Sequence, residues 1–224
     1  GFDLNYANPI FFSSGLRPSG TTPDHTLFGF NGKYKVLNKT SVYGQLLFDQ
    51  STSPNTNSNK SFQLGFRGFD FLKLKNLNYL FEYNTVGAYT YSNQNPIVSY
   101  NHFSEPLAHP YGANFKELLG IVNYSTGKFD LQGKVIYSKY GLDINNNNYG
   151  KDITLANNIN LPSTAITNGQ GMATTLKFAE GSIAYLINPK YNLRLEAGAL
   201  LREEQTAIIS FGLRSSFRNL YHDF

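Results

Sequence analysis

The chain has 224 residues, of which 41% are hydrophobic, 15% aromatic and 15% charged, with 16 Tyr, 18 Phe and no Cys. The aromatic content excludes a disordered chain, and the absence of Cys excludes a disulfide scaffold, a thiolate metal site and a Cys nucleophile. A formal net charge of +4, spread rather than clustered, leaves no footprint for nucleic acid, and no run of about 18 apolar residues marks a membrane helix, which leaves membrane strands open.

Residues 1–25 hold Pro9, Pro18 and Pro23 with Gly15 and Gly20 and are expected to form an external loop. Beyond them the hydrophobic period is two, the mark of strands with one apolar face. Strands are expected near 26–37, 41–50, 61–71, 77–91, 117–124, 130–141, 174–187, 191–203 and 207–221. In the eighth, Leu193, Leu195, Ala197, Ala199 and Leu201 fall on one face and Arg194, Glu196 and Arg202 on the other. The ninth repeats this, with Ile209, Phe211 and Leu213 set against Ser210, Gly212 and Arg214.

The connections alternate in length. Short links fall at Asn38–Thr40, Lys73–Asn76, Ser125–Lys128 and Asn188–Lys190, and long polar ones at 51–60, 92–116 and 142–173. The link around Glu204–Thr206 is short where a long one is due. Short turns at one end and long loops at the other describe an outer-membrane barrel. Tyr and Phe gather at strand ends (Phe28, Phe48, Tyr124, Phe129, Tyr191, Phe217), as in interfacial aromatic girdles. A soluble sandwich or lipocalin-like barrel also alternates and is the competing architecture.

The expected fold is therefore all-β, a transmembrane antiparallel outer-membrane β-barrel. Nine is an odd strand count, whereas bacterial single-chain barrels close with an even one, and an open sheet would leave two edges in lipid. The chain is thus expected to be the C-terminal part of a larger barrel, its last strand, ending at Phe224, addressing the barrel-assembly machinery.

Charge on a lipid face is costly. The polar positions Lys33, Lys35, Asp49, Arg67, Glu82, Lys134, Glu180, Arg194, Glu196, Arg202, Arg214 and Arg218 are therefore expected to line the lumen. Their mixed signs favour an ion-pair lattice over a conduit. Loop residues Tyr89, Tyr91, Asn93, Asn95 and Tyr149 offer flat rings and amides of the kind that hold sugars, and Arg17 and Lys151 offer cations to an acidic polysaccharide. The plainer reading is polar loops whose Asn residues suit tight turns.

His102 and His109 share one loop with Glu105, but no HxH or HExxH spacing occurs, so no metal or other cofactor is expected; His109 suits a brace between loop and wall. Ser104 lies near His102, yet no GxSxG is present, and an enzyme is not expected.

Several stretches carry a resemblance. Asn8-Pro9-Ile10-Phe11-Phe12 runs into Gly15-Leu16-Arg17-Pro18 and Pro23-Asp24-His25; Tyr43 to Asp49 ends the second strand; Glu105 to Glu117 precedes the fifth; Phe211-Gly212-Leu213-Arg214 leads to Tyr221-His222-Asp223-Phe224. Together they resemble the capsule assembly protein Wzi family, and within it the Bacteroidetes branch that includes the gliding motility protein RemB. That resemblance implies a larger outer-membrane barrel with further N-terminal strands, and a role in attaching surface polysaccharide or in motility. The leading expectation is a non-enzymatic anchor for surface (capsular) polysaccharide, embedded in outer-membrane lipid. Alternatives are a component of a gliding-motility or protein-secretion machine that docks protein partners, and a diffusion porin.

Overall fold

The computed structural model describes residues 26–50, 60–71, 74–145, 147–156, 167–203 and 206–216. Residues 1–25, Arg17 among them, and 217–224, with Phe217, Arg218 and Phe224, lie outside the described residues. Strands β1 (Thr26–Leu37), β2 (Thr40–Gln50), β3 (Lys60–Phe69), β4 (Leu77–Val86), β5 (Asn101–His102), β6 (Glu105–Pro106), β7 (Phe115–Thr126), β8 (Phe129–Leu142), β9 (Met172–Asn188), β10 (Leu193–Arg202) and β11 (Thr206–Arg214) follow in order. Nine of them form one antiparallel meander, β1-β2-β3-β4-β7-β8-β9-β10-β11; β5 and β6 pair with each other. Among the described residues the sheet is not closed, with β1 and β11 as its edges.

Turn chemistry fixes one end. Gly127 takes φ 58° in the two-residue link between β7 and β8, a conformation that suits hairpin turns and that Gly adopts without strain. Between β9 and β10, Asn188 caps a single 3₁₀ turn by accepting from the Lys190 N–H, and Asn192 closes it at φ 49°. This turn starts β10 at Leu193 rather than at 191. Between β3 and β4, Asp70 accepts from the Asn76 N–H at 2.7 Å and from Lys39 Nζ at 2.5 Å, tying two neighbouring turns together. The lysine lowers the Asp70 pKa by its hydrogen bond.

One strand stops early. The alternation predicts β4 to Tyr91, but pairing ends at Val86. Tyr89 and Tyr91 sit at φ 62° and 73°, left-handed values that cannot continue a strand. The Tyr91 N–H donates instead to the Asp49 carboxylate at 2.5 Å. The following loop contains elements that period-two reading missed: a 3₁₀ turn at Pro96–Val98 and the β5–β6 hairpin.

The registers separate two faces. Lys35 is opposite Ser41, Ser41 opposite Arg67, and Gly65 opposite Glu82. Ile121 is opposite Lys134, Lys134 opposite Glu180, Ala184 opposite Glu196, and Arg194 opposite Arg214. By this pairing Lys33, Lys35, Asp49, Arg67, Glu82, Lys134, Glu180, Arg194, Glu196, Arg202 and Arg214 all occupy one face. The other face carries Phe30, Phe66, Val135, Ile183, Leu195 and Phe211, large apolar side chains that stand exposed, Phe211 at 81%. A core forms at the loop end of the polar face. Leu47, Val86, Phe115 and Tyr140 lie on one cross-strand row there and pack with Tyr91, Ala113 and Ile153 from the loops.

Candidate functional site

The site is built by residues 87–114, 143–145, 147–156 and 167–171. Tyr91, Ala113 and Ile153 pack onto the polar face, whereas Asn168 reaches the other one, where its amide donates to Thr85 Oγ1 at 2.8 Å and to the Phe115 carbonyl at 3.2 Å. Asn114 sits at the junction, fully buried at φ 59°. Its amide nitrogen donates to the carbonyls of Gly141 (3.2 Å), Tyr149 (3.2 Å) and Gln170 (2.9 Å), and its Oδ1 accepts from the Gly169 N–H at 2.6 Å. His109 braces the same junction. Its Nδ1 accepts from the Tyr111 N–H at 3.2 Å, its Nε2 lies 3.3 Å from Glu117 Oε1, and its ring packs on Phe115 at 4.5 Å between centroids. Asn84 donates to the same Glu117 oxygen at 3.1 Å.

Tyr89, Tyr91 and Asn93 are corrected by their burial. All three are buried, Tyr89 completely, so neither ring presents a face to a sugar. Tyr89 Oη donates to the Asn148 carbonyl at 2.6 Å, its N–H donates to the Gly150 carbonyl, and burial pushes its pKa up to about 12. The Tyr91 hydroxyl meets Ser61 Oγ at 2.8 Å, and burial raises its pKa too. Asn93 Oδ1 accepts from the Asn95 N–H and Asn95 Oδ1 from the Ile97 N–H, a chain of Asx turns. These residues pin one loop to the other and to β2 and β3.

Half-buried Tyr149 and Lys151 remain near the surface. Lys151 Nζ donates to the Tyr111 carbonyl at 3.4 Å and lies 5.1 Å from the Tyr140 ring centroid; burial lowers its pKa. Beside it opens a cleft of about 610 Å³ lined by Ser104, Tyr111, Asp143, Lys151, Asp152 and Thr154. Ser104 thus faces the cleft, while His102 packs on Phe103. A cleft with one aromatic ring, one cation and several hydroxyl and carboxylate groups suits a polyhydroxylated ligand. Tyr111, Asp143 and Asp152 escaped the sequence reading because loop residues carry no periodic signal.

The polar face is knit differently from a simple lattice. Arg194 and Glu196, two apart on one strand, do not pair with each other. Arg194 reaches Asp130 on β8, and its Nε donates to Asn192 Oδ1 at 2.7 Å, while Glu196 lies 3.7 Å from Arg214 on β11. Glu82 accepts from the Tyr43 hydroxyl, and Arg67 lies over the Tyr43 ring at 5.7 Å. Lys134 and Glu180 are direct cross-strand partners. Asp130 and Asn84 were findable, since both fall on the polar period of their strands. At the turn end, Lys33, Lys35, Lys39 and Arg67 line a second cleft of about 650 Å³ with Asn78 and Asn123.

An antiparallel meander with one charged and one exposed apolar face is the architecture of a β-barrel wall. No family model and no curated protein matches the chain. One solved structure that resembles it is Wzi of Escherichia coli, an outer membrane protein involved in group 1 capsule assembly and described as a carbohydrate-binding β-barrel. The likeness has 19% identity and a TM-score of 0.49, over 84% of this chain. The chain spans 39% of the length of that protein.

Proposed function

We propose that this chain is a sector of an outer-membrane β-barrel that holds surface polysaccharide at its loop end without chemically altering it. One observation carries the membrane half of this reading. Every charged side chain of the nine-stranded sheet lies on one face, apart from four lysines near the loops. Water does not tolerate so extended an apolar face, and lipid does. The outward apolar run Phe129 to Tyr137 on β8 is about the length a tilted membrane strand needs. The charged face, with its eleven described sequence-expected residues, then lines the interior.

The polysaccharide half rests on the Tyr111–Lys151 cleft, beside which the Tyr149 N–H donates to the lining carboxylate of Asp143 at 2.7 Å. The test compares cell-bound with released surface polysaccharide in cells carrying the intact gene, a deletion, or Lys151→Gln combined with Tyr111→Ala. Polymer moving to the medium in both altered strains supports the anchor; an unchanged distribution in the deletion refutes it.

A second reading is favoured by a different observation. Ile97 and Phe103, at the tips of the 3₁₀ turn and the β5–β6 hairpin, are each 89% exposed. Exposed apolar tips suit a protein partner, as a gliding-motility or secretion machine of the kind that includes RemB requires. Pull-down with Ile97→Ser/Phe103→Ser against wild type separates the two readings, since a docking tip loses its partner while the glycan cleft is untouched.

A further inference from the structure

The four lysines that break the apolar face are not scattered. Lys60 opens β3, Lys116 is the second residue of β7, and Lys139 and Lys177 lie near the loop ends of β8 and β9. All four are exposed. Their register makes them a row. Lys116 stands directly opposite Lys139. Thr175 is the next residue across, with Lys177 two positions along β9. On the other side, Thr85 separates Lys116 from Phe62, two positions along β3 from Lys60. The row therefore runs obliquely across adjacent strands, as a membrane plane crosses tilted strands.

Two features require an explanation. The first is sign: the row is wholly cationic. Among the described residues no carboxylate stands in register beside Lys60, Lys116 or Lys139. Glu203, in the turn after β10, is in register with Lys177, where its N–H donates to the Lys177 carbonyl at 2.7 Å. The second is the direct Lys116–Lys139 pair. Opposite residues on antiparallel strands have Cβ atoms about 4.5–5.5 Å apart, and like charges there repel. An anion lying between the two ammonium groups removes that repulsion and accepts charge-assisted hydrogen bonds from both. The row borders the apolar face, so the anion's carrier must sit against hydrocarbon-facing side chains such as Leu118 and Tyr137.

We propose that Lys60, Lys116, Lys139 and Lys177 form a binding row for the phosphate groups of phosphorylated lipids in the leaflet on the loop side, centred on the Lys116–Lys139 pair. This rests on the membrane-barrel reading above. The lipid tails cover the apolar band and the headgroup phosphates neutralise the lysines, fixing the depth at which the wall sits. Lys139 also lies 5.8 Å from the Tyr137 ring centroid, and at the turn end Lys39, Lys128 and Lys190 lie over the rings of Phe69, Tyr185 and Tyr191.

The test uses the full-length protein extracted from outer membranes into mild detergent, as wild type, Lys116→Gln/Lys139→Gln and, as a turn-end control, Lys75→Gln. Native mass spectrometry reads binding of diphosphorylated lipid A, of its enzymatically dephosphorylated form, and of inorganic phosphate. The double variant is expected to bind the phosphorylated lipid about thirtyfold more weakly, from the increment that each near-membrane lysine supplies. The control should match wild type, and the dephosphorylated lipid should bind wild type and double variant equally weakly. Equal binding of the phosphorylated lipid to wild type and a correctly inserted double variant overturns the row alone. Inorganic phosphate competing at equal concentration overturns its lipid assignment. A wild-type protein that does not fractionate with the outer membrane overturns the barrel reading and the row together. If the double variant fails to insert, Lys139→Gln carries the same comparison at about fivefold.

Discussion

Asn114 and Gly169, 55 residues apart, are joined by a 2.6 Å hydrogen bond from the Gly169 N–H to Asn114 Oδ1. The same side chain donates to three further carbonyls on the segment that follows β8 and on β8 itself. One buried amide therefore holds the second long loop against the start of β7. Asn114→Ala leaves the Gly141 and Gln170 carbonyls without that donor in a dry setting, at a cost of about 2–4 kcal/mol. It also places Ala at φ 59°, which Asn tolerates better. The expected result is rapid proteolysis within 143–171 while the strands keep their resistance, read by timed digestion and mass mapping.

Gly141 makes the same junction sensitive to a single methyl group. A Cβ there would sit 1.6 Å from the Gln170 carbonyl oxygen and 2.6 Å from Asn114 Nδ2. The first contact is backbone, so no side-chain rotation relieves it. Gly141→Ala should expel the 167–171 segment and resemble Asn114→Ala in digestion, whereas Gly133→Ala on the same strand, where nothing lies within 4 Å, should behave as wild type.

Tyr89 makes the loop packing depend on alkaline pH. Its phenol is held above the ordinary value near 10, at about 12, chiefly by burial. A group whose folded pKa is raised contributes stability that is fully present below its unfolded pKa and is lost as pH rises through the folded one. Loop protection should therefore hold to about pH 10 and decline toward pH 12, with Tyr89 among the late-titrating phenols in the ultraviolet absorbance, beside Tyr91 and Tyr111, which burial also raises. Tyr89→Phe should take one phenol out of that late titration and weaken the loop at every pH, because the bond to the Asn148 carbonyl is gone. A single phenolate transition near pH 10 in wild type would contradict this.

The two faces were legible in the sequence because a strand offers a binary choice. Arg194, Glu196 and Arg214 need only the correct parity to be placed, and a slip of one residue would drive all of them into the apolar face. Pairing was not legible. Arg194 and Glu196 look complementary in sequence, yet Glu196 lies 3.7 Å from Arg214 on the neighbouring β11, and Arg194 reaches past β9 to Asp130 on β8. The loops were least legible. Tyr89 and Tyr91 read as surface aromatics, but their burial depends on Asn148, Asp49 and Ser61, and no local pattern announces contacts over 30 to 59 residues. The left-handed φ values of both tyrosines, which end β4, are set by those distant partners.

The assignment of the apolar face to lipid is tested by moving one charge between faces of a single strand. Val135, 56% exposed, lies mid-strand on the apolar side of β8; Gln132 lies on the polar side, opposite Asn123 and Ser182. Placing Arg on a lipid face near the bilayer midplane costs about 2–4 kcal/mol, and on an aqueous interior face close to nothing. Val135→Arg should therefore lower the denaturant midpoint of the protein in phospholipid vesicles, and Gln132→Arg should leave it within error. If the apolar face were instead covered by a soluble partner or by a second layer of the same protein, the penalty would persist in detergent-free buffer and would not vary with bilayer thickness. Repeating Val135→Arg in thin and thick bilayers separates the two cases: a lipid-exposed position gives a larger penalty as the hydrocarbon layer deepens around it.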